Sequence, residues 1–421
     1  MHEATTTTLT EALSAGGAAV REGTSADAVH GRVPRLVATP PDTAAASALL
    51  AAAHRHGLAS IARGNGTALA WGAPPLRCDL LVDTTALTGI EHAAGDLVVR
   101  AGAGTPLADL RDHLARAGQR LTLDPPVPGG TVGGAVATGL SGPRRMLHGP
   151  LRDLIIGMTV VRADGVAASS GGRVVKNVAG YDLGKLHTGA LGTLGLITSV
   201  TFRLHPVPPA LRLVSAQAPD AAVLQEWTAR ALRSAAVPAA VELRWPAEGP
   251  PRLQVLLEGA RGGIDARAAE VAALLDAPHT AEALPPDWGA PPGGARDTLL
   301  KVTAPVSASA LAARTVREAA RALGTSADVG GSAGAGVLYA ALPADADPEA
   351  VAGVVARARA ALAEAGGTLT VARTAPHLAD PALDLGLDRW GPVGGLALMR
   401  AVKDRFDPHR LLSPGRGPGG M

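Results

Sequence analysis

With 421 residues, 47% of them hydrophobic, the chain is long enough for two or three domains and apolar enough to bury a sizeable core, which excludes disorder of the whole. Its 39 Lys and Arg against 37 Asp and Glu leave a formal charge of +2 without any block of like charge, so nucleic acid is a poor partner. The single cysteine, Cys78, excludes an internal disulfide and any iron–sulfur cluster ligated by this chain alone.

The first ten residues are polar and lack the basic and apolar regions of a signal peptide, and no apolar run reaches the roughly 20 residues of a membrane span. A cytoplasmic protein is expected, without an integral membrane segment and peripheral to a membrane only through partners. After an N-terminal segment (1–33), strand and helix alternate from Pro34. An apolar helix is predicted over 43–56, a short strand over 58–62, a glycine-rich loop over 64–72, and strands over 80–83 and 97–101. Thr105-Pro106 offers a hydroxyl cap and a first-turn proline to a helix that Gly118 closes. The stretch 124–142 holds three prolines and six glycines and reads as an ordered ligand loop. A hairpin follows over 154–161 and 166–169, turning at Asp164-Gly165, and 197–204 makes a further strand.

Beyond Pro206 the texture changes. Strand 212–216, helix 221–235, strands 240–245 and 253–258 and helix 265–275 are followed by strand 299–304, helix 307–323, strand 336–342, helix 348–365 and strand 368–373. This order predicts an antiparallel sheet with helices on one face, an α+β module over 207–375. A tail over 376–421 carries a short amphipathic helix.

Three glycine-rich segments carry the chemistry. Arg63-Gly64-Asn65-Gly66-Thr67-Ala68 follows a strand directly, and its glycines let successive N–H groups converge on one anion, with the Thr67 hydroxyl as a further donor. An ordinary Gly-Asn-Gly turn explains the hexapeptide equally well. It is neither a phosphate loop of Gly-Lys-Ser/Thr type nor a Rossmann fingerprint, because Leu69 stands where the third glycine belongs. Gly129-Gly130-Thr131-Val132-Gly133-Gly134 and the small residues after it offer bare backbone to a flat ligand or a pyrophosphate. Gly180-Tyr181-Asp182 opens a helix with Asp182 in its first turn, and Gly189-Ala190-Leu191-Gly192-Thr193-Leu194-Gly195 again sets bare backbone beside a strand. The histidines stand apart, His54 and His56 pointing in different directions from one helix, and make no metal site.

In this order the three segments resemble the FAD-binding domain of the vanillyl-alcohol-oxidase / p-cresol-methylhydroxylase superfamily. Leu140-Ser141-Gly142-Pro143-Arg144-Arg145, Val175-Lys176-Asn177-Val178-Ala179-Gly180-Tyr181-Asp182 and Lys403-Asp404-Arg405-Phe406-Asp407-Pro408 are similar to the FAD-binding subunits of bacterial glycolate oxidases. The resemblance implies an α+β protein with a two-subdomain FAD-binding domain (34–206), an α+β cap (207–375) over the flavin, and a tail (376–421) that packs back on the first domain. It implies that Arg63, Gly64, Asn65, Gly66, Thr67 and Ala68 hold the pyrophosphate. Gly130, Thr131, Val132, Gly133, Gly134, Ala137, Thr138 and Ser141 would line the flavin and ribityl, with Gly180, Tyr181 and Ile197 as the far wall.

Asn65 and Ala68 stand where histidyl-linked members often carry His, so noncovalent FAD is expected. The cap lacks the His-x-Gly-Asp-Gly-Asn-His run frequent in hydroxy-acid dehydrogenases, and Leu191 replaces an acidic residue often found before Gly-Thr-Leu-Gly. No catalytic base is identified. Arg144, Lys301 and Arg373 are candidate cations for a substrate carboxylate. The resemblance implies a small 2-hydroxy acid as substrate, with a larger flavoprotein subunit and an iron–sulfur subunit as partners. Two readings stay open: an oxidoreductase subunit whose flavin accepts a hydride, or a non-catalytic flavin-binding subunit that stabilises a catalytic partner. A nucleotide module for NAD is disfavoured by the missing third glycine.

Overall fold

The computed structural model describes residues 6–124, 126–172, 182–276, 279–379 and 387–421. Its N-terminal half holds two sheets. Strands β1 (Ala19–Glu22), β2 (Leu36–Thr39), β3 (Ser60–Arg63) and β4 (Leu80–Asp83) lie in the order β1-β2-β4-β3, with β2, β4 and β3 parallel and β1 antiparallel at one edge. The parallel strands are covered on both faces, which is why Leu36-Val37-Ala38 and Leu80-Leu81-Val82 are unbroken apolar runs. Helices α1 (Thr6–Ser14) and α2 (Thr43–Arg55) close one face with Leu9, Leu13, Leu49 and Leu50. Asp42 starts α2 by accepting the Ala45 N–H at 2.8 Å.

The second sheet is antiparallel. Strands β5 (Ile90–Ala93), β6 (Val98–Gly102), β8 (Ile155–Val161), β9 (Ala167–Gly171) and β10 (Leu196–Arg203) lie in the order β5-β6-β10-β8-β9, while β7 (Gln119–Arg120) and β11 (His205–Pro206) form a separate short ribbon. Helices α3 (Leu107–Ala115) and α4 (Val132–Thr138) pack Leu110, Leu114, Val132 and Val136 on Val99, Ala101, Val200 and Phe202. Short helices α5 (Arg145–His148), α6 (Leu151–Leu154) and α7 (Leu183–His187) lead to the flank of this sheet and to the cap.

The cap is one eight-stranded antiparallel sheet. Its strands β12 (Ala210–Gln217), β13 (Ala240–Trp245), β14 (Arg252–Gly259), β15 (His279–Ala281), β16 (Thr298–Thr303), β17 (Asp328–Ser332), β18 (Val337–Leu342) and β19 (Thr368–Arg373) run β15-β12-β14-β13-β17-β18-β16-β19. Helices α8 (Ala221–Arg233), α9 (Arg261–Leu274), α10 (Ser309–Ala322) and α11 (Pro348–Glu364) cover one face, where Val241, Leu243, Val255, Leu300, Val302 and Leu338 meet Leu224, Val316 and Val354. Because successive strand residues alternate in direction, Glu242, Gln254, Lys301, Tyr339 and Thr370 take the opposite face, toward the N-terminal half. There Leu299, Tyr339, Ala341 and Ala372 pack against Trp71 and Leu140.

Local predictions differ from the structure at identifiable places. The Thr105 hydroxyl donates to Gly89 O at 3.2 Å instead of capping α3, which begins at Leu107 after Pro106. The second half of the predicted loop 124–142 is the helix α4, with Thr131 as its N-cap. Asp182 is the N-cap of α7, accepting from Lys185 N at 3.2 Å, and not a first-turn residue. Strand β17 escapes notice because its Gly330-Gly331 pair reads as a breaker; an added Cβ at Gly330 would come within 2.9 Å of the Arg244 guanidinium.

The last helix, α12 (Leu396–Phe406), brings a buried ion pair to the N-terminal half. Lys403 Nζ donates to Thr193 O (2.7 Å), Leu412 O (2.9 Å) and Asp407 (2.6 Å), and Asp407 accepts from Leu411 N (3.0 Å) and Leu412 N (2.8 Å). Every donor and acceptor of the pair is answered, which is the condition under which a buried pair holds. Lys403→Met, which strands the Asp407 charge, is expected to destabilise the protein by about 3–5 kcal/mol, read as a lower thermal midpoint. The double variant Lys403→Met, Asp407→Leu should lose clearly less; equal losses would show that packing alone is at stake.

Candidate functional site: a cleft between glycine-rich loops and the cap sheet

The loop after β3 passes directly over the N-cap of α4. An added Cβ at Gly64 would collide with Thr131 Oγ1, so glycine is required there. Thr131 Oγ1 accepts from Gly134 N at 3.2 Å, and Asn65 Nδ2 donates to Gly129 O at 2.9 Å, which ties the first loop to the second. Gly66 lies at φ +75°, and only the Arg63 Cδ approaches its Cβ position, at 3.8 Å, so its backbone faces open space. Gly64, Asn65, Gly66, Thr67, Ala68, Thr131, Gly134, Ala137 and Thr138 line a cleft of about 580 Å³ including its mouth, closed by Leu191, Gly192 and Arg416. Its walls are mainly backbone and small side chains, a surface suited to a pyrophosphate held by amide donation at close range.

The other expected ligand residues are placed differently. The Arg63 guanidinium is held by Asp27 at 3.0 Å and Asp83 at 2.9 Å, leaving its main chain to the cleft. Gly130 lies beside Thr67, where its Cβ would be 3.5 Å from the Thr67 hydroxyl. Val132 is fully buried in the core, and Gly133 faces Ala103, whose Cβ would stand 2.8 Å from an added one; both turn away from the cleft. Ile197 is a core residue of β10 behind α4. Gly180 and Tyr181 lie outside the described residues.

Thr138 and Leu191 also line a second, larger space of about 1210 Å³ including its mouth, so the two clefts are continuous. Leu191 holds φ +52°, a conformation a branched side chain rarely adopts, and donates its N–H to Ala137 O at 2.8 Å. Ser141, Trp71 and Trp390 form one side of this space, and Lys301, Thr303 and Thr370 of the cap sheet form the other. The Ser141 hydroxyl accepts from Leu151 N at 2.9 Å.

Arg145 enters from α5, its guanidinium donating to the carbonyls of Ser141 and Gly142. Among the described residues neither Arg145 nor Lys301 has a carboxylate within ion-pairing distance, and burial lowers the proton affinity of both, with Arg145 adding to the effect on Lys301. The indole N–H groups of Trp71 and Trp390 are buried there without a hydrogen-bond partner, and the Tyr339 hydroxyl lies behind them beside the Arg145 guanidinium. Such orphaned donors and uncompensated cations suit a large polar ligand with an anionic companion. The backbone-walled cleft beside them suits a dinucleotide, so these residues fit FAD.

Of the three predicted cations, Lys301 alone lines the cleft. Arg144 pairs with Asp124 and with Glu258 at 2.6 Å, and Glu258 also binds Arg120 at 2.6 Å. Although burial works against the charge, hydrogen bonds from Arg120 and Arg144 bring Glu258 down to about 2. Arg373 donates to the carbonyls of Asp297 (3.1 Å) and Gly294 (2.6 Å), away from the cleft. Arg416 from the tail donates to Leu69 O at 2.7 Å and to Trp71 O, stiffening the first loop from behind. Nothing local in the sequence separates Arg145 from Arg144 or marks Arg416. Cys78 is buried, its thiol pushed up to about 11 by burial. Among the described residues no group of three or more His, Cys, Asp or Glu stands where it could hold a metal ion, and no helix is long and apolar enough to cross a membrane.

Residues 34–170 match the family model of the FAD binding domain, and residues 281–416 match that of the C-terminal domain of FAD linked oxidases. The D-lactate dehydrogenase of Archaeoglobus fulgidus is 35% identical over 171 residues, covering 41% of this chain and 39% of the relative. The glycolate oxidase subunit GlcE of Escherichia coli is 42% identical over 123 residues, covering 29% of this chain and 35% of the relative. The chain thus spans less than half the length of these curated relatives. The crystal structure of p-cresol methylhydroxylase with substrate bound shares the fold, with a TM-score of 0.71 at 16% identity over 91% of this chain and 88% of that one. With an FAD binding domain at one end and the C-terminal domain of FAD linked oxidases at the other, the chain carries both domains of an FAD-linked oxidase, shares the fold of p-cresol methylhydroxylase, and takes FAD as its cofactor.

Proposed function

We propose that this chain is the FAD-binding subunit of a glycolate-oxidase-like dehydrogenase that acts on a small 2-hydroxy acid. The observation that carries the reading is the pair Arg145 and Lys301, two half-buried cations without carboxylate partners among the described residues, facing the space beside the flavin loops. A carboxylate placed between them restores the charge balance that burial denies them. FAD bound in the cleft supplies the hydride acceptor. The protein's own part is to hold the pyrophosphate on the amides of residues 64–68, to fix the substrate carboxylate on Lys301 and Arg145, and to exclude water with Trp71 and Trp390. Asn65 and Ala68 stand in the first loop where a histidyl link would need His, and the flavin is held noncovalently. With one cysteine the chain passes its electrons to partners, a larger flavoprotein and an iron–sulfur subunit, in a cytoplasmic assembly that meets a membrane only through them.

One observation favours the alternative, a flavin-binding subunit that supports a catalytic partner: no described His, Asp or Glu lines the space as a base for the substrate hydroxyl. A dye-coupled assay separates the two. Weak turnover of glycolate or D-lactate is expected from the chain alone, with the rate restored on co-expression with its partners. Rapid turnover by the lone chain would place a complete acid–base set within it.

Acid precipitation of the purified protein should release its yellow colour to the supernatant; colour in the pellet would show a covalent flavin. Gly66→Val forces a β-branched residue to positive φ and fills the open side of the loop, and should abolish FAD binding, whereas Gly294→Val, at an exposed site, should leave it unchanged. Fluorescence titration reads both, and unchanged affinity in the Gly66 variant would displace the phosphate site. Lys301→Met should weaken binding of glycolate by roughly 10–100-fold, the worth of one charge-assisted hydrogen bond, while FAD affinity stays as it was.

A further inference from the structure

Beside the two cations the cap sheet buries a carboxyl group with no part in the reading above. Glu242 sits centrally in β13, opposite Gln254 of β14 and Ser332 of β17, on the sheet face turned away from the helices. It is 3% exposed, and its Oε1 is left without a hydrogen-bond partner. Helix α5 lies on this strand: Met146 fills the place where a Cβ on Gly334 would be, and Val241 flanks the same point at 3.1 Å.

Arg145, one residue before Met146, is a cation that pairs with no carboxylate among the described residues and acts on Glu242. The other groups acting on Glu242 are Arg244 from its own strand, Asp124 from the loop that follows β7, and Tyr339 from β18, whose phenol is raised by burial and by Glu242. Burial pushes the Glu242 carboxyl up to about 8, against the pull of Ser332, Arg244 and Arg145 and with Asp124 adding to the rise. The same guanidinium therefore acts on the Glu242 carboxyl and also lines the ligand space.

Building on the carboxylate clamp proposed above, we infer that Glu242 is a positioning residue for the anionic ligand, leaving Arg145 to the ligand when uncharged and competing for it when ionised. Binding of a carboxylate near Arg145 then favours the protonated acid, so ligand binding takes up a proton and weakens as the pH rises. Lys301 works in the same direction as it loses its proton, which makes a variant of Glu242 itself the deciding probe.

Oxalate, a small carboxylate with no hydrogen to give up as hydride, is titrated calorimetrically into the FAD-loaded chain between pH 6 and 9.5. Wild type is expected to lose about tenfold in affinity from pH 7 to 9, the change a single group titrating near 8 produces. Glu242→Gln should bind at pH 9 almost as wild type does at pH 7, and Lys301→Met should bind weakly at every pH. Titration of wild type at pH 8 in two buffers of different ionisation heat reads proton uptake directly and needs no variant to fold. Absence of uptake, or an unaltered pH dependence in Glu242→Gln beside a weakened Lys301→Met, would overturn the role of Glu242 and leave the clamp standing. Unchanged binding in Lys301→Met, or no oxalate binding by wild type, would remove the clamp and this inference with it.

Discussion

At Gly64 the first loop crosses the cap of α4 so closely that no side chain can intervene, and the Thr131 hydroxyl occupies the space a Cβ would need. This contact joins the parallel sheet, which supplies the loop, to the antiparallel sheet, which carries the helix. It brings two stretches of bare main chain to one place, and Asn65 locks them by its bond to Gly129. Arg63 is withdrawn from the cleft by Asp27 and Asp83, and the Arg416 guanidinium that helps close it is bonded to the carbonyls of Leu69 and Trp71. A diphosphate would then meet oriented dipoles and not a cluster of lysines, which is consistent with a chain whose overall charge is near zero.

The cationic contribution comes instead from the other side of the cleft. Strand alternation gives the cap sheet one face for its helices and another for the N-terminal half, and Lys301, Tyr339 and Glu242 all fall on the second. Arg145, reaching from the loop that carries Ser141, meets them there. The site is thus assembled from both halves: main-chain dipoles and the Arg145 guanidinium from the loops, the Lys301 ammonium and the buried Tyr339 and Glu242 from the sheet. Glu242 and Lys301 both owe the direction of their shifts first to burial beneath the N-terminal half.

Much of this was legible in the sequence. Long periodic segments such as α2, α8 and α11 were found within a residue or two at each end, and the glycine-rich segments that can be described do meet at one cleft. The failures have local causes. Val132–Thr138 looked like a loop because its glycines are poor helix formers, yet Thr131 caps it and the core needs Val132 and Val136 on one side. Arg144 and Arg145 are neighbours in sequence but point to different partners, a difference decided by Glu258 more than a hundred residues away. Glu242 stands in an alternating strand, where a carboxylate ordinarily marks the solvent side; only the second domain covering that face makes it a buried group. Patterns within one element cannot announce what another domain lays over it.

The chain of ion pairs from Arg120 through Glu258 to Arg144 and Asp124 fastens the cap sheet to the loop leading into the flavin segment. Drawing the halves apart would strand charges that now neutralise one another at low exposure, so the cap is better regarded as a riveted plate than as a hinged door. The rivet falls on the residue next to Arg145, so the bond that seats the cap also fixes where the neighbouring guanidinium comes to rest beside the cleft.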